Sequence, residues 1–302
     1  MAQSLLRRLK KLHPDAVIDA IAPGYSESLL TCMPEIRAVI KAPVRHGQLG
    51  LMARYRLGKA LRAEGYNQAF VLPNSFKSAL IPWFARIPIR TGWRGEMRYG
   101  LLNDRRYLDV ARYPRMVQRY LALGFAPEAL FDEELYWPVL TANSCANSQQ
   151  PILVLCPGAA YGRTKRWPIH NFAAVAQHFL RLGWEVWCLG GPEEKPLAVQ
   201  LPARDLTHTS FAEAIDYIAQ ARVVVSNDSG LMHIASALGK PVVAIYGSTL
   251  PDHAPPLTQS ARVLSQSLSC KPCFKRECLF GHYDCLQQVH VNAVIAAVGE
   301  LV

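Results

Sequence analysis

The chain has 302 residues, 50% of them hydrophobic and 19% charged. That balance is enough for two globular domains with separate cores, and it excludes a disordered polymer. No apolar run approaches the roughly 20 residues that span a bilayer. The start, Met1 to Lys11, is basic and amphipathic and lacks the apolar stretch and cleavage site of a signal peptide. The expected compartment is therefore the cytoplasm, with the eight cysteines reduced.

The net charge of +10 is unevenly placed. Residues 1–150 hold 21 Lys and Arg against 12 Asp and Glu, and residues 151–302 hold 12 against 11. Between Lys77 and Arg106 there are seven basic residues and two acidic ones. Such a patch suits nucleic acid, an anionic membrane surface or a multiply charged substrate, or is a solvated face.

In chain order the periodicity predicts a helix over Gln3–Leu12, a strand over 16–21, a strand over 69–72 ending at Pro73-Asn74-Ser75, a helix over 76–84 and a strand over 89–92. Thr141–Gln150, small and polar, reads as a linker. The alternation then restarts with a strand over 151–156, a helix over 171–182, a strand over 185–189, a helix over 210–219, a strand over 223–225, a helix over 231–238 and a strand over 242–246. The pattern is that of an α/β chain with doubly wound parallel sheets. Ligands of such sheets sit outside the carboxyl ends of the strands, which selects the loops 157–167, 190–195, 208–210, 226–230 and 247–253.

The richest of these is Ser226-Asn227-Asp228-Ser229-Gly230-Leu231-Met232-His233. A β-branched run ends in a tight turn and a helix begins, so backbone N–H groups point at anything anionic above them. Asp228 and Ser229 are also good N-cap types, which is the purely structural alternative. Lys165-Arg166 follows the Pro157–Ala160 turn, where two cations suit a diphosphate; otherwise they are surface charges. Glu193 follows Gly190-Gly191, where a carboxylate can hold ribose hydroxyls or serve a helix first turn. Cys270, Cys273, Cys278 and Cys285 form C-x2-C-x4-C-x6-C. Four thiols so close together suit a structural zinc or another thiophilic metal, with reduced thiols or disulfides as the alternatives. Cys156 and Cys188 end buried strands and read as core, and Cys32 and Cys145 as isolated. No G-x-G-x-x-G occurs, which counts against an NAD-linked oxidoreductase.

Three sets of motifs together resemble the bacterial ADP-heptose:lipopolysaccharide heptosyltransferases of glycosyltransferase family nine, most closely type II. They are the Ser226–His233 turn, Pro157-Gly158-Ala159 with Lys165-Arg166-Trp167-Pro168, and Pro73-Asn74-Ser75-Phe76-Lys77-Ser78 with Arg90-Thr91-Gly92-Trp93-Arg94. The resemblance implies a GT-B-like architecture of two Rossmann-like domains. Residues 1–147 would bind acceptor and 148–302 the nucleotide sugar, with the last helix packing back on the first domain. It implies inverting transfer of L-glycero-D-manno-heptose from ADP-heptose to the heptose/Kdo inner core of lipopolysaccharide, with no cofactor required.

Carried over by position, Asp228 holds heptose hydroxyls, Ser229 and Gly230 face the diphosphate, His233 lies beside it, and Lys165 neutralises the departing ADP. Glu193 holds the ribose and Thr209 lies near the adenosine, while Asn74, Lys77, Arg94 and Arg98 meet the acceptor. The family's hydroxyl pair falls on Ala160 and Tyr161 here. The expected partners are ADP-heptose, an anionic inner-core acceptor and the anionic surface of the inner membrane at its cytoplasmic face, with no nucleic acid. The family's leading strand and its Gly-Asp turn, whose aspartate is the general base, have no counterpart after Met1. The sequence-based expectation is therefore a chain that binds donor and transfers it poorly.

Overall fold

Helix α1 (Gln3–Leu12) lies where the periodicity places it, and Leu5 and Leu9 pack against Trp93, Tyr113 and Leu123. The computed structural model describes residues 1–44, 47–142 and 148–302, which gather into two units, Met1–Trp137 and Pro138–Val302.

The first unit continues with β1 (Ile18–Ala22), α2 (Glu27–Thr31), β2 (Ile36–Lys41), α3 (Leu51–Leu61), β3 (Gln68–Phe70), α4 (Leu80–Phe84), β4 (Ile89–Trp93), β5 (Asp104–Arg106) and α5 (Met116–Leu121). Its strands form two separate parallel sheets, β1-β2 and β3-β4-β5. A cavity of about 2030 Å³ is lined by β1, by β3 and by the loop that carries Asn74 and Lys77. The predicted helix over 76–84 begins as a 3-10 turn, Phe76–Ala79, and is α-helical only from Leu80. Pro82 has no N–H to give the carbonyl of Ser78, so α-helical bonding cannot run through from Phe76.

The expected seam at 147/148 lies at the edge of residues 143–147, which are outside the described residues and take in half of the expected linker and Cys145. The described chain divides ten residues earlier, between Trp137 and Pro138. The cause is local: the Leu140 N–H donates to the Ala237 carbonyl at 2.8 Å, which ties this segment into the second unit.

That unit holds β6 (Ile152–Cys156), α6 (Ile169–Arg181), β7 (Glu185–Cys188), α7 (Lys195–Ala198), β8 (Arg204–Asp205), α8 (Phe211–Gln220), β9 (Val223–Asn227), α9 (Gly230–Ala237), β10 (Val242–Tyr246), β11 (Ala261–Ser265), α10 (Asp284–Gln287) and α11 (Val291–Gly299). One parallel sheet runs β11-β10-β9-β6-β7-β8. Every residue of β6, β9 and β10 is buried, as expected of strands covered on both faces. Each fully buried Val, Leu or Ile contributes about 1.5–3 kcal/mol. Val294, Ala297 and Val298 place α11 in this same core, not apart from it. The strand order reverses between β6 and β9, and the crevice at such a switch point is where ligands bind. No helix among the described residues is long and apolar enough to cross a membrane.

Candidate nucleotide-sugar site

Loops 157–167 and 227–230, which leave β6 and β9 at the switch point, are joined by Asn227. This side chain is fully buried. Its amide donates to the Pro157 carbonyl at 2.8 Å, and its Oδ1 accepts the Trp167 N–H at 3.1 Å. Trp167 is anchored in turn: its indole N–H donates to the Val289 carbonyl at 3.0 Å, and its ring stands edge-on to Phe172. Lys165 is thereby held between two fixed points.

Its ammonium lies 2.5 Å from the Asp228 carboxylate. Thr249 Oγ1 donates to the same carboxylate oxygen at 2.7 Å, so the loop after β10 closes the site from a third side. That loop comes close because residue 247 is glycine: a Cβ there would stand 2.0 Å from the Thr164 carbonyl oxygen. The Ser248 N–H donates to this carbonyl at 3.1 Å. Asp228 is 7% exposed and the Lys165 side chain 15%, so the pair is largely removed from water, where an ion pair needs good geometry to persist.

Ser229 is the N-cap residue of α9, but its side chain makes no cap bond; its Oγ lies 3.2 Å from Ser226 Oγ. The side-chain cap that Ser229 could supply is therefore not formed. Among the described residues no side chain caps the first-turn N–H groups of α9, and free N–H groups beside an ammonium are an arrangement that suits phosphate. His233 sits in that first turn, and its Nδ1 is buried without a partner among the described residues. Burial pushes its imidazole down to about 4, with Lys165 acting in the same direction and Asp228 opposing.

Glu193 is exposed, whereas Glu194 turns into the loops. Glu194 Oε2 accepts the Gly191 N–H at 2.6 Å, and a Cβ on Gly158 would collide with the Glu194 side chain at 2.5 Å. The carboxylate at the mouth of β6 and β7 is thus that of Glu194, one residue on from the expected one. Thr209 hydrogen-bonds the Leu206 carbonyl through its hydroxyl at 2.7 Å and is half-buried beside α8. Ala160 has no hydroxyl. That of Tyr161 is engaged by the Phe274 carbonyl, with the ring beneath Lys165 and Arg276.

Tyr161 and Thr164 seat the loop on the cysteine-rich segment, Thr164 through the Lys275 carbonyl. Cys270, Cys273, Cys278 and Cys285 line one cavity of about 30 Å³ with His282. No three His, Cys, Asp or Glu side chains among the described residues converge as metal ligands. None of these four cysteines is in a disulfide, and all four thiols face the same pocket. Cys273 is exposed, and Cys278 is held below its ordinary pKa by backbone N–H groups, that of Tyr283 first.

In the first unit the structure separates the four expected acceptor residues. Asn74 and Lys77 line the large cavity, and Arg94 is exposed. Arg98 is 2% exposed, and its guanidinium donates to the carbonyls of Pro73 and Trp93 and to Asn74 Oδ1. Those bonds make Arg98 a brace for the loop that carries Asn74, not a surface cation.

Residues 54–284 match the model of glycosyltransferase family 9 (heptosyltransferase). The chain is 43% identical to lipopolysaccharide heptosyltransferase 2 of Salmonella typhimurium, in an alignment covering 87% of this chain and 83% of that protein. It is 39% identical to lipopolysaccharide heptosyltransferase 2 of Escherichia coli, over 100% of this chain and 94% of that protein. The solved structure of E. coli ADP-heptose LPS heptosyltransferase II superposes with a TM-score of 0.86 at 36% identity, covering 99% of this chain and 93% of that one.

Proposed function

The chain belongs to glycosyltransferase family 9, the heptosyltransferases, and from that premise we propose that it transfers L-glycero-D-manno-heptose from ADP-heptose to the heptose/Kdo inner core of lipopolysaccharide. The observation that carries this reading is the Lys165–Asp228–Thr249 cluster beside the uncapped start of α9. An ammonium and free N–H groups suit a diphosphate, and a carboxylate next to them suits sugar hydroxyls.

In this reading the diphosphate lies over the N–H groups of Ser229 and Gly230. As an acceptor hydroxyl oxygen bonds to the anomeric carbon from the opposite face and gives its proton to solvent, the bond from that carbon to the phosphate oxygen breaks and negative charge builds on the phosphate oxygen. Lys165 transfers its attention from Asp228 to the phosphate and stabilises the leaving ADP. Asp228, still held by Thr249, orients the heptose hydroxyls. His233 stays neutral beside the phosphates and offers its ring nitrogen as a hydrogen-bond partner. Glu194, and not Glu193, is placed to meet the ribose, with Thr209 towards the adenosine. The anionic acceptor meets the basic first unit at the Asn74–Lys77 cavity, and the enzyme works at the anionic surface of the membrane that carries its lipid-linked acceptor.

The relatives that match at 43% and 39% identity are heptosyltransferases, which favours transfer over the alternative of a donor-binding relic. The test is transfer by the purified chain from ADP-heptose to lipopolysaccharide lacking the outer heptose. One ADP released per heptose gained by the acceptor is expected. ADP release without a heavier acceptor would overturn the proposal.

A further inference from the structure

One face of the first unit is used by neither the donor site nor the acceptor cavity's loop. On α3, Met52, Tyr55, Arg56 and Lys59 fall at the spacing that puts them on a single helix face, and all four are exposed. The opposite face packs on α4, and Gly58 permits this: a Cβ there would stand 2.5 Å from Phe84 Cβ. The close approach makes one continuous patch. The Tyr55 ring lies edge-on to Phe84 with centroids 5.3 Å apart, Phe84 lies 5.0 Å from Trp83, and Arg62 Nε donates to the Phe84 carbonyl at 2.9 Å. Met52 is 61% exposed and Trp83 44%. Around these apolar groups stand the exposed cations Arg56, Lys59, Arg62 and Arg86. None of them pairs with an acid among the described residues. Residues 51–62 and 80–90 contain no acidic residue at all.

We propose that this α3–α4 face docks on the surface of an anionic phospholipid bilayer, with Trp83, Tyr55 and Met52 at the headgroup boundary and Arg56, Lys59 and Arg86 over the lipid phosphates. Charge complementarity and the amphipathic rings carry the inference. Trp and Tyr settle where one end of the ring is apolar and the other wet, and unpaired cations beside them are attracted by anionic lipid. The inference deepens the membrane placement proposed above and is independent of the sugar chemistry.

The test is co-sedimentation of the full chain with vesicles of phosphatidylcholine alone, and with vesicles in which half of it is replaced by phosphatidylglycerol. Partitioning at least about tenfold higher onto the anionic vesicles is expected, falling as salt shortens the Debye length. Lys59→Glu should reduce it several-fold. Arg181→Glu makes the same change in net charge on the exposed end of α6 and should reduce it much less. Trp83→Ala should weaken binding at high salt, where the apolar contact dominates. Calorimetric titration with ADP establishes that each variant is folded, and the vesicles carry no sugar acceptor, so the result is read apart from transfer. Equal losses for Lys59→Glu and Arg181→Glu would overturn the proposal. So would binding that ignores lipid charge, or Lys59-dependent binding to duplex DNA with none to vesicles.

Discussion

The Lys165 ammonium stands 2.5 Å from Asp228 Oδ2, on the oxygen that Thr249 also holds. A cation already paired in the free site must be released to serve a phosphate, so the two partners respond differently to mutation. Lys165→Met removes the positive charge from the diphosphate position and should weaken ADP binding about tenfold or more. Asp228→Asn frees Lys165, so ADP affinity should hold within about threefold or tighten. Transfer should fall about 100-fold, because the carboxylate that orients the sugar is gone. Calorimetry with ADP and initial-rate assays separate the two effects. Parallel losses of ADP binding in both variants would reduce the pair to a structural tie.

Asn227→Ala leaves the Pro157 carbonyl and the Trp167 N–H buried without partners. Each orphaned group costs about 1–3 kcal/mol, so the unfolding free energy should drop by about 2–5 kcal/mol. Urea titration reads this directly. A drop below about 1 kcal/mol would mean that water replaces both bonds.

Glu194 and Glu193 differ by one position and by orientation. Glu194→Ala removes the carboxylate seated between Gly158 and Gly191; it should raise the KM for ADP-heptose about tenfold, while Glu193→Ala should change it less than about twofold. The reverse order would restore the sequence-based expectation.

His233 carries a pH prediction. Its folded pKa, lowered to about 4, lies below the 6.5 of the free side chain. Between these values the unfolded chain binds a proton that the folded chain does not. Stability from this group is therefore fully present above about 6.5 and declines as pH falls towards 4. The NMR shifts of the His233 ring should stay flat through pH 5 and move only near 4, and an inflection near 6.5 would contradict the buried, neutral imidazole.

The second unit was far more legible in the sequence than the first, for a physical reason. Strands β6, β9 and β10 are buried on both faces; β6 and β10 read as unbroken apolar runs, β9 as one over Val223–Val225, and β10 matches its predicted span residue for residue. In the first unit β2, Ile36–Lys41, is apolar at four of six positions but half-exposed, and β5, Asp104-Arg105-Arg106, is made entirely of charged residues and gives no hydrophobic signal. The site shows the same split. Lys165, Asp228 and His233 announce themselves by type and place, since each follows a strand end. Thr249 and Gly247 lie in a loop that was selected, but their roles depend on the approach of Thr164, which no local pattern encodes. Glu194 lost out to Glu193 because a two-residue carboxylate run in a turn does not reveal which side chain faces inward. Arg98 reads as one more cation in a basic stretch until its burial is known.

That burial sets the last prediction. Arg98 braces three acceptors, the carbonyls of Pro73 and Trp93 and Oδ1 of Asn74, and so fixes the loop that presents Asn74 and Lys77 to the cavity. A planar guanidinium reaches all three at once, whereas an ammonium is a compact point charge with a different donor geometry. Arg98→Lys should therefore lose about 2–4 kcal/mol of stability despite keeping the charge. Arg94 is exposed four residues earlier, and Arg94→Ala should change stability by less than about 0.5 kcal/mol. Kinetics should divide the pair in the opposite sense. Arg94→Ala should raise the acceptor KM with little effect on the donor KM, since it removes a surface cation from an anionic ligand's approach. Arg98→Lys should lower kcat and raise the acceptor KM together, because the whole loop moves. A stable Arg98→Lys enzyme with only its acceptor KM raised would return Arg98 to direct acceptor contact.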